Sequence, residues 1–136
     1  MKRVEQIRYR YVEREVTLSE LDDFLAEAVG ALRRQATDGA PFAIFHGAVN
    51  DTTRSRVEVG AGAPDGERTL PGGSVVYAVA GSDRGETGYA EIHELYAHIA
   101  RYIDENGLRQ TGATREVYTG RDHFGDEIEV VWPVEG

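Results

Sequence analysis

Glu129 is the residue whose type and setting most strongly suggest chemistry in this sequence. It lies between Ile128 and Val130 in a run of strand-forming residues. A carboxylate in partly apolar surroundings is costly unless it is paired, so it selects a cationic ligand over a neutral one or serves as a general base. Strand alternation leaves a second interpretation open, in which Glu129 faces solvent while Ile128, Val130 and Trp132 fill the core. Glu58 is the corresponding acid earlier in the chain.

Aromatic residues form a second group of candidate ligand contacts. The chain contains seven tyrosines in 136 residues. Aromatic faces attract cations and stack on planar ligands, and tyrosine adds a hydroxyl group. The candidates are Phe45, Tyr89, Tyr96, Tyr118 and Trp132. For Tyr89 and Tyr96, helical spacing leaves open that they belong only to the buried stripe of a helix.

Metal and covalent chemistry find no support in the sequence. Cysteine is absent, which excludes disulfides, thiolate metal sites and thiol nucleophiles. The four histidines have no metal-ligand spacing, and neither an HExxH motif nor a GxSxG turn occurs. We therefore predict no metal and no cofactor.

Charge and hydropathy argue against two classes of partner. The formal net charge is −9 with scattered Lys and Arg, whereas a nucleic-acid binder normally carries a basic face. No apolar run approaches the roughly 20 residues that span a bilayer, and the N-terminal segment lacks the apolar core of a secretion signal. We expect a soluble, cytoplasmic protein that binds neither nucleic acid nor membrane.

Two amphipathic helices are predicted to position the candidate residues. Apolar residues recur at helical spacing over residues 18–32, and Thr17 with Glu20 fits a capping box at the start. A second stripe covers residues 89–103, and Gly107 provides the stop. Strand-forming runs flank the helices at residues 7–16, 41–46, 54–59, 74–80, 114–119 and 127–132.

The order strand–helix–strand–strand occurs twice, and short sequence matches support an internal duplication. The pattern at residues 39–47 recurs 73 residues later at 112–120. The pattern at residues 57–59 recurs 71 residues later at 128–130. Matches in the same order in both halves are typical of a repeated structural element.

The predicted fold is therefore a single α+β domain over residues 1–136, with half-repeats at about residues 1–62 and 70–136. Its tandem β-α-β-β units would form one antiparallel sheet with two helices on one face and a central cleft. A cleft between repeats, lined by aromatic and a few polar groups, is a common ligand site.

With these elements placed, the sequence resembles the GyrI-like small-molecule-binding domain, also called the AraC effector-binding domain. The resemblance rests on residues 41–47, on Gly88-Tyr89, on residues 102–107 and 115–118, and on residues 129–134 near the end of the chain. Together these segments extend over nearly the whole chain.

The resemblance implies a tandem β-α-β-β fold with a small amphipathic or cationic ligand in the central cleft, and it implies that Glu129 faces that cleft. Many members are fused to a helix-turn-helix DNA-binding segment, and this chain resembles the stand-alone members. Residues 120–126 are a departure, because relatives often carry a longer loop there that borders the pocket.

Three functions are consistent with a stand-alone member. The favoured prediction is non-catalytic binding of a small organic molecule for sequestration or sensing. The first alternative is hydrolysis of strained cyclopropyl-bearing toxins, with Glu129 or Glu58 as the base and Tyr118 as the orienting group. The second alternative is inhibition or regulation of a protein partner.

Overall fold

A computed structural model describes residues 1–35, 38–47, 50–81, 89–119 and 127–135 of the chain. The elements in chain order are β1 (Lys2–Val4), β2 (Ile7–Val16), α1 (Leu18–Arg33), β3 (Asp38–Phe45), β4 (Ser55–Gly62), β5 (Arg68–Leu70), β6 (Gly73–Gly81), α2 (Tyr89–Glu105), β7 (Arg109–Gln110), β8 (Arg115–Tyr118) and β9 (Glu127–Glu135). Gly88 and residues 120–126, which entered the family comparison, lie outside the described residues, and so does the side chain of Tyr89.

The chain divides into two compact units. The N-terminal unit comprises Gln6–Pro71, and the C-terminal unit comprises Met1–Glu5 together with Gly72–Gly136. Each unit contains the order strand–helix–strand–strand (β2-α1-β3-β4 and β6-α2-β8-β9) with antiparallel pairing and further short strands, so the predicted α+β class is confirmed. The first five residues belong with the C-terminal unit because β1 pairs with β6.

In the N-terminal unit the strands follow the order β3-β4-β2-β5, with antiparallel neighbours. Helix α1 covers one face, because the guanidinium of Arg14 on β2 lies 5.1 Å from the ring centroid of Phe24 on the helix. Side chains alternate along a strand, so Val57, opposite Arg14, and Val59 also lie beneath α1. Both valines are fully buried.

In the C-terminal unit the order is β1-β6-β9-β8, and the short strand β7 also pairs with β9. The buried core of this unit includes Ile99 on α2, Val76 on β6 and Val130 on β9. Val76 on β6 is opposite Trp132 on β9, and Val130 lies two residues before Trp132, so all three side chains share one face of the strands.

The predicted helix boundaries are confirmed. The backbone N–H of Thr17 donates to Glu20 Oε1 at 3.0 Å, which is one half of the capping box. Helix α2 ends at Glu105, Gly107 follows with a φ of 63°, and the N–H of Leu108 donates to the carbonyl of Ile103 at 3.0 Å. This left-handed turn satisfies carbonyls that the helix leaves open. No helix in the described part of the chain is long and apolar enough to cross a bilayer.

Candidate functional site

The two faces of β9 carry different groups, and α2 lies over only one of them. The ring of Tyr96 on α2 lies 6.2 Å from the ring of Trp132, between centroids. Ile128 and Val130 share the face of Trp132 because strand side chains alternate. Glu129 therefore lies on the opposite face of β9, away from α2.

We call the face of a unit that is not covered by the helix of that unit its helix-free face. On the helix-free face of the C-terminal unit, Glu129 is paired with a cation of its own chain. Lys2 on β1 places its ammonium 3.0 Å from Glu129 Oε2, and the Glu129 side chain is 18% exposed. The same ammonium lies 4.1 Å from the ring centroid of Tyr77 on β6. A carboxylate and an aromatic face are the two groups that most favour an organic cation, so the geometry forms a cation site with a lysine in it.

The N-terminal unit contains the same arrangement. Arg68 Nη1 lies 3.1 Å from Glu58 Oε1, and the Arg68 guanidinium lies 3.7 Å from the ring centroid of Tyr11. Glu58 follows Val57 directly on β4, and successive side chains of a strand point to opposite faces. Glu58 therefore also lies on the face away from the helix of its unit, α1. We call these two arrangements the Glu129 site (Glu129, Lys2 and Tyr77) and the Glu58 site (Glu58, Arg68 and Tyr11).

Strand register shows that the two sites are structurally equivalent. In the N-terminal unit Glu58 is opposite Glu13 on the neighbouring strand, and Arg68 is opposite Tyr9, four residues before Glu13. The tyrosine of the site, Tyr11, lies midway between Tyr9 and Glu13 on the same face.

The C-terminal unit repeats each of these relations. Glu129 is opposite Val79, and Lys2 is opposite Val75, again four residues earlier along the intervening strand. Tyr77 lies midway between the two valines. An identical register of carboxylate, cation and tyrosine in both units supports the predicted duplication independently of the short sequence matches.

The Glu58 site is saturated by internal donors. Glu58 is 2% exposed and accepts hydrogen bonds from the Tyr9 hydroxyl and from His46 Nε2, the latter at 3.0 Å, in addition to the contact from Arg68. Arg68 also lies 2.7 Å from Glu13 Oε2. Burial alone would raise the pKa of Glu58, but the donors outweigh it and hold the pKa below its usual range. This carboxylate is fixed in the ionised form.

The Glu129 site is less satisfied and holds a second positive charge nearby. Among the described residues, Lys2 is the only group that donates to the carboxylate. Arg115 on β8 is opposite Val131, which places it on the same face as Glu129. Arg115 is 7% exposed, and burial lowers its pKa while the attraction of Glu129 acts in the other direction.

Beneath α2, a different carboxylate holds the predicted aromatic residues. Glu116 is 8% exposed and accepts a hydrogen bond from the Tyr96 hydroxyl at 2.8 Å and from the Tyr118 hydroxyl at 3.3 Å. Burial and the neighbouring Glu116 raise the pKa of Tyr96 far above its usual value. The indole nitrogen of Trp132 is buried and has no hydrogen-bond partner among the described residues.

The structure thus separates the predicted site residues into two groups. Glu58 and Glu129 lie on helix-free faces, one in each unit. On the helix-covered faces lie Tyr96, Tyr118 and Trp132 in the C-terminal unit and Phe45, opposite Val57, in the N-terminal unit. Glu129 and Tyr118 therefore do not converge on one side of β9, and ligand contact by any of these residues stays a prediction.

Several residues that form the sites were not singled out from the sequence, namely Lys2, Tyr11, Arg68, Tyr77, Arg115 and Glu116. One signal was present for two of them, because Tyr77 follows Tyr11 by 66 residues in equivalent strands. No group of three or more His, Asp or Glu side chains that could hold a metal ion occurs within residues 1–35, 38–47, 50–81, 89–119 and 127–135.

These observations define an α+β domain made of two strand–helix–strand–strand units, each with a cation, a carboxylate and a tyrosine on its helix-free face. The chain is similar to the solved crystal structure of the EcmrR C-terminal domain, with 17% identity, a TM-score of 0.72, and coverage of 98% of this chain and 94% of that chain. It is also similar to EcmrR in the cryo-EM structure of an EcmrR–DNA complex, with 17% identity and a TM-score of 0.73. That match covers 98% of this chain, which spans 56% of that one.

At this identity the likeness shows the fold alone. No family model matches the sequence, and no curated protein matches it.

Proposed function

We propose that the chain is a non-catalytic binding module for small organic cations, used in sequestration or sensing as in the GyrI-like domains that its sequence resembles. The Glu129 site is the proposed recognition site. The observation that carries the proposal is the position of the Lys2 ammonium, 3.0 Å from a mostly buried carboxylate and 4.1 Å from an aromatic ring centroid. A cationic ligand would make the same two contacts.

The two equivalent sites differ in how readily their internal cation can leave. Arg68 contacts Glu58 and Glu13, and Glu58 keeps two further donors, so this site favours a structural role. Lys2 has one carboxylate partner, lies on a three-residue strand and has a side chain that is 38% exposed. Partly exposed ion pairs of this kind contribute only about 0.2–1 kcal/mol, so an incoming cation can displace the lysine.

Catalysis by the predicted acid–tyrosine pair is less well supported. The Tyr118 hydroxyl donates to Glu116, and Tyr118 lies on the opposite face of the strands from Glu129. The Glu58 carboxylate is fully engaged with donors and has a lowered pKa, which makes it a weak base. These features favour binding over hydrolysis.

The fold likeness supports a regulatory setting for this binding. EcmrR carries a domain of the same fold at its C-terminus, and EcmrR is bound to DNA in one of the matched structures. We infer that the present domain acts as a ligand-responsive module of a similar kind.

The test compares choline with 3,3-dimethylbutan-1-ol, its uncharged carbon isostere, by isothermal titration and by ligand-induced thermal stabilisation. We expect binding of choline only. Glu129→Gln should weaken it by about 10- to 100-fold, because the substitution removes the coulombic attraction between the carboxylate and the quaternary ammonium. Glu135→Gln, an exposed acid on the same strand that pairs with Arg109, is the matched control and should have no effect.

The aromatic contact has its own control pair. Tyr77→Leu should weaken choline binding about two- to fivefold, whereas Tyr77→Phe should retain it, because the ring face rather than the hydroxyl attracts the cation. Equal affinity for choline and its neutral isostere, or undiminished choline affinity in Glu129→Gln, would overturn the proposal.

A further inference from the structure

Arg115 is a buried, positively charged side chain that has no role in the proposed binding of a cationic ligand. Its residue is 7% exposed, on the same strand face as Glu129. No hydrogen bond or ion pair of its guanidinium occurs within the described part of the chain, where the Glu129 carboxylate is the charge that attracts it. Glu129 itself is bonded to Lys2 instead.

An arginine in this state has no hydrogen-bond partner in the described protein, although its nitrogens are not fully sealed from solvent. A guanidinium has five N–H donors in a planar fork that matches the two oxygens of a carboxylate. Burial of a charged group without hydrogen-bonded pairing is costly, and the lowered pKa of Arg115 has this origin. A ligand that supplied an anionic group would remove that cost.

The distance between the two charges limits the ligand. Glu129 is opposite Val117 on β8, and Arg115 lies two residues before Val117. Residues in this diagonal relation lie roughly 7–8 Å apart, and their Cβ atoms are somewhat closer. A molecule that meets both side chains therefore carries its positive and negative groups only a few bonds apart.

We propose that the ligand of the Glu129 site is a small zwitterion, whose ammonium group replaces Lys2 between Glu129 and Tyr77 and whose carboxylate pairs with Arg115. This inference rests on the proposed function and specifies the class of its ligand as betaine-like or amino-acid-like. On the binding face the cations Lys2 and Arg115 lie near the Glu129 carboxylate, whereas Glu127, two residues before it, accepts a hydrogen bond from Thr119. A simple cation that displaces Lys2 leaves Arg115 uncompensated, whereas a zwitterion compensates both charges.

Four probes whose head groups have the same shape, trimethylammonium or tert-butyl, separate the contributions of the charges. They are glycine betaine, choline, 3,3-dimethylbutanoate and 3,3-dimethylbutan-1-ol, which are zwitterionic, cationic, anionic and neutral. We expect the wild-type protein to bind glycine betaine at least about tenfold more tightly than choline, and the other two more weakly than either. This ranking requires no variant and does not depend on how well a mutant folds.

Variants then assign the preference to Arg115. Arg115→Met should weaken glycine betaine binding and strengthen choline binding, because it removes a partner of the carboxylate and a charge that repels the cation. These opposite signs would not result from a general loss of structure. Arg115→Lys, which keeps the charge but not the fork, should give an intermediate ratio.

The outcomes distinguish the inference from the function on which it rests. If choline binds as tightly as glycine betaine, or if Arg115→Met leaves their ratio unchanged, the zwitterion inference is wrong while the cation site stands. If neither probe binds, or if only 3,3-dimethylbutanoate binds, the proposed function is wrong and the inference falls with it.

Discussion

Lys2 and Glu129 contact each other across an intervening strand, because β6 lies between β1 and β9 and the ammonium reaches over Tyr77 to the carboxylate. Arg68 and Glu58 make the same contact across β2 in the N-terminal unit. A register shared by both units indicates that the pairing belongs to the repeated architecture. The two copies differ chiefly in how many further donors surround the acid.

Removal of the internal cation should improve ligand binding. In Lys2→Met, we expect the affinity for choline to rise about two- to fivefold, since the ligand no longer competes with an ion pair of about 0.2–1 kcal/mol. Titration calorimetry at low ionic strength measures the change. Arg3→Met, at an exposed position on the same strand, is the control. Weaker binding by Lys2→Met would mean that the lysine assists the ligand instead.

Glu58 should make the protein sensitive to acid. Its pKa is lower in the folded chain than the ordinary value of about 4.3, so its stabilising contribution is present above that value and is lost as the pH falls through the folded pKa. Glu58→Gln should cost about 1.5–3 kcal/mol at pH 7 and much less near pH 3. Urea unfolding at both pH values measures this.

The control for Glu58 is Glu27→Gln, an exposed acid on α1 in the same unit. Its unfolding free energy should follow the wild-type pH dependence. An equal loss of stability at both pH values in Glu58→Gln would contradict the assigned role of the ionised carboxylate.

Ionisation of the Tyr96 hydroxyl should destabilise the folded protein at high pH. Its folded pKa is raised by burial and by Glu116, so its contribution is fully present below the unfolded pKa of about 10 and is lost as the pH rises above it. Tyr96→Phe should therefore flatten the fall in unfolding free energy between pH 9 and pH 11 (roughly the range around that pKa). Tyr102→Phe, at a position 38% exposed, should keep the wild-type slope, and a Tyr96→Phe slope equal to it would contradict the prediction.

Gly66 should tolerate no side chain. A Cβ atom there would lie 2.5 Å from the carbonyl carbon of Tyr9, on backbone that cannot move aside cheaply. Gly66→Ala should therefore cost about 1–3 kcal/mol and disturb Tyr9, a donor to Glu58. Gly112→Ala is the matched control, because its Cβ would meet the ring of Pro133 at 3.5 Å, an ordinary contact. Equal thermal midpoints for the two variants would contradict this explanation.

Much of the fold could be predicted from the sequence because its signals are local. The capping residues Thr17 and Glu20, and the left-handed Gly107, fix the start of α1 and the end of α2 within a few residues of chain. The matched pair Phe45 and Tyr118 occupies equivalent positions in the two units, each on the helix-covered face. Periodicity, caps and repeats of this kind need no knowledge of distant contacts.

The composition of the site could not be predicted in the same way, because it depends on long-range pairing. Lys2 meets Glu129 across 127 positions of sequence, and nothing near either residue indicates the other. Alternation correctly separates Glu129 from Trp132, but it does not say which face the helix covers. The register of β8 against β9, which the sequence also does not show, places Tyr118 opposite Ile128, on the face of Glu116 rather than of Glu129.

The chain has one tryptophan, and its position provides a label-free optical probe of events on β9. Trp132 lies three residues from Glu129 on the opposite face, with its indole nitrogen sealed from water and without a hydrogen-bond partner in the described structure. Its fluorescence therefore reports strain or hydration transmitted through the strand rather than direct contact with a bound molecule. An emission shift on titration would reveal whether occupation of one face is transmitted to the helix on the other.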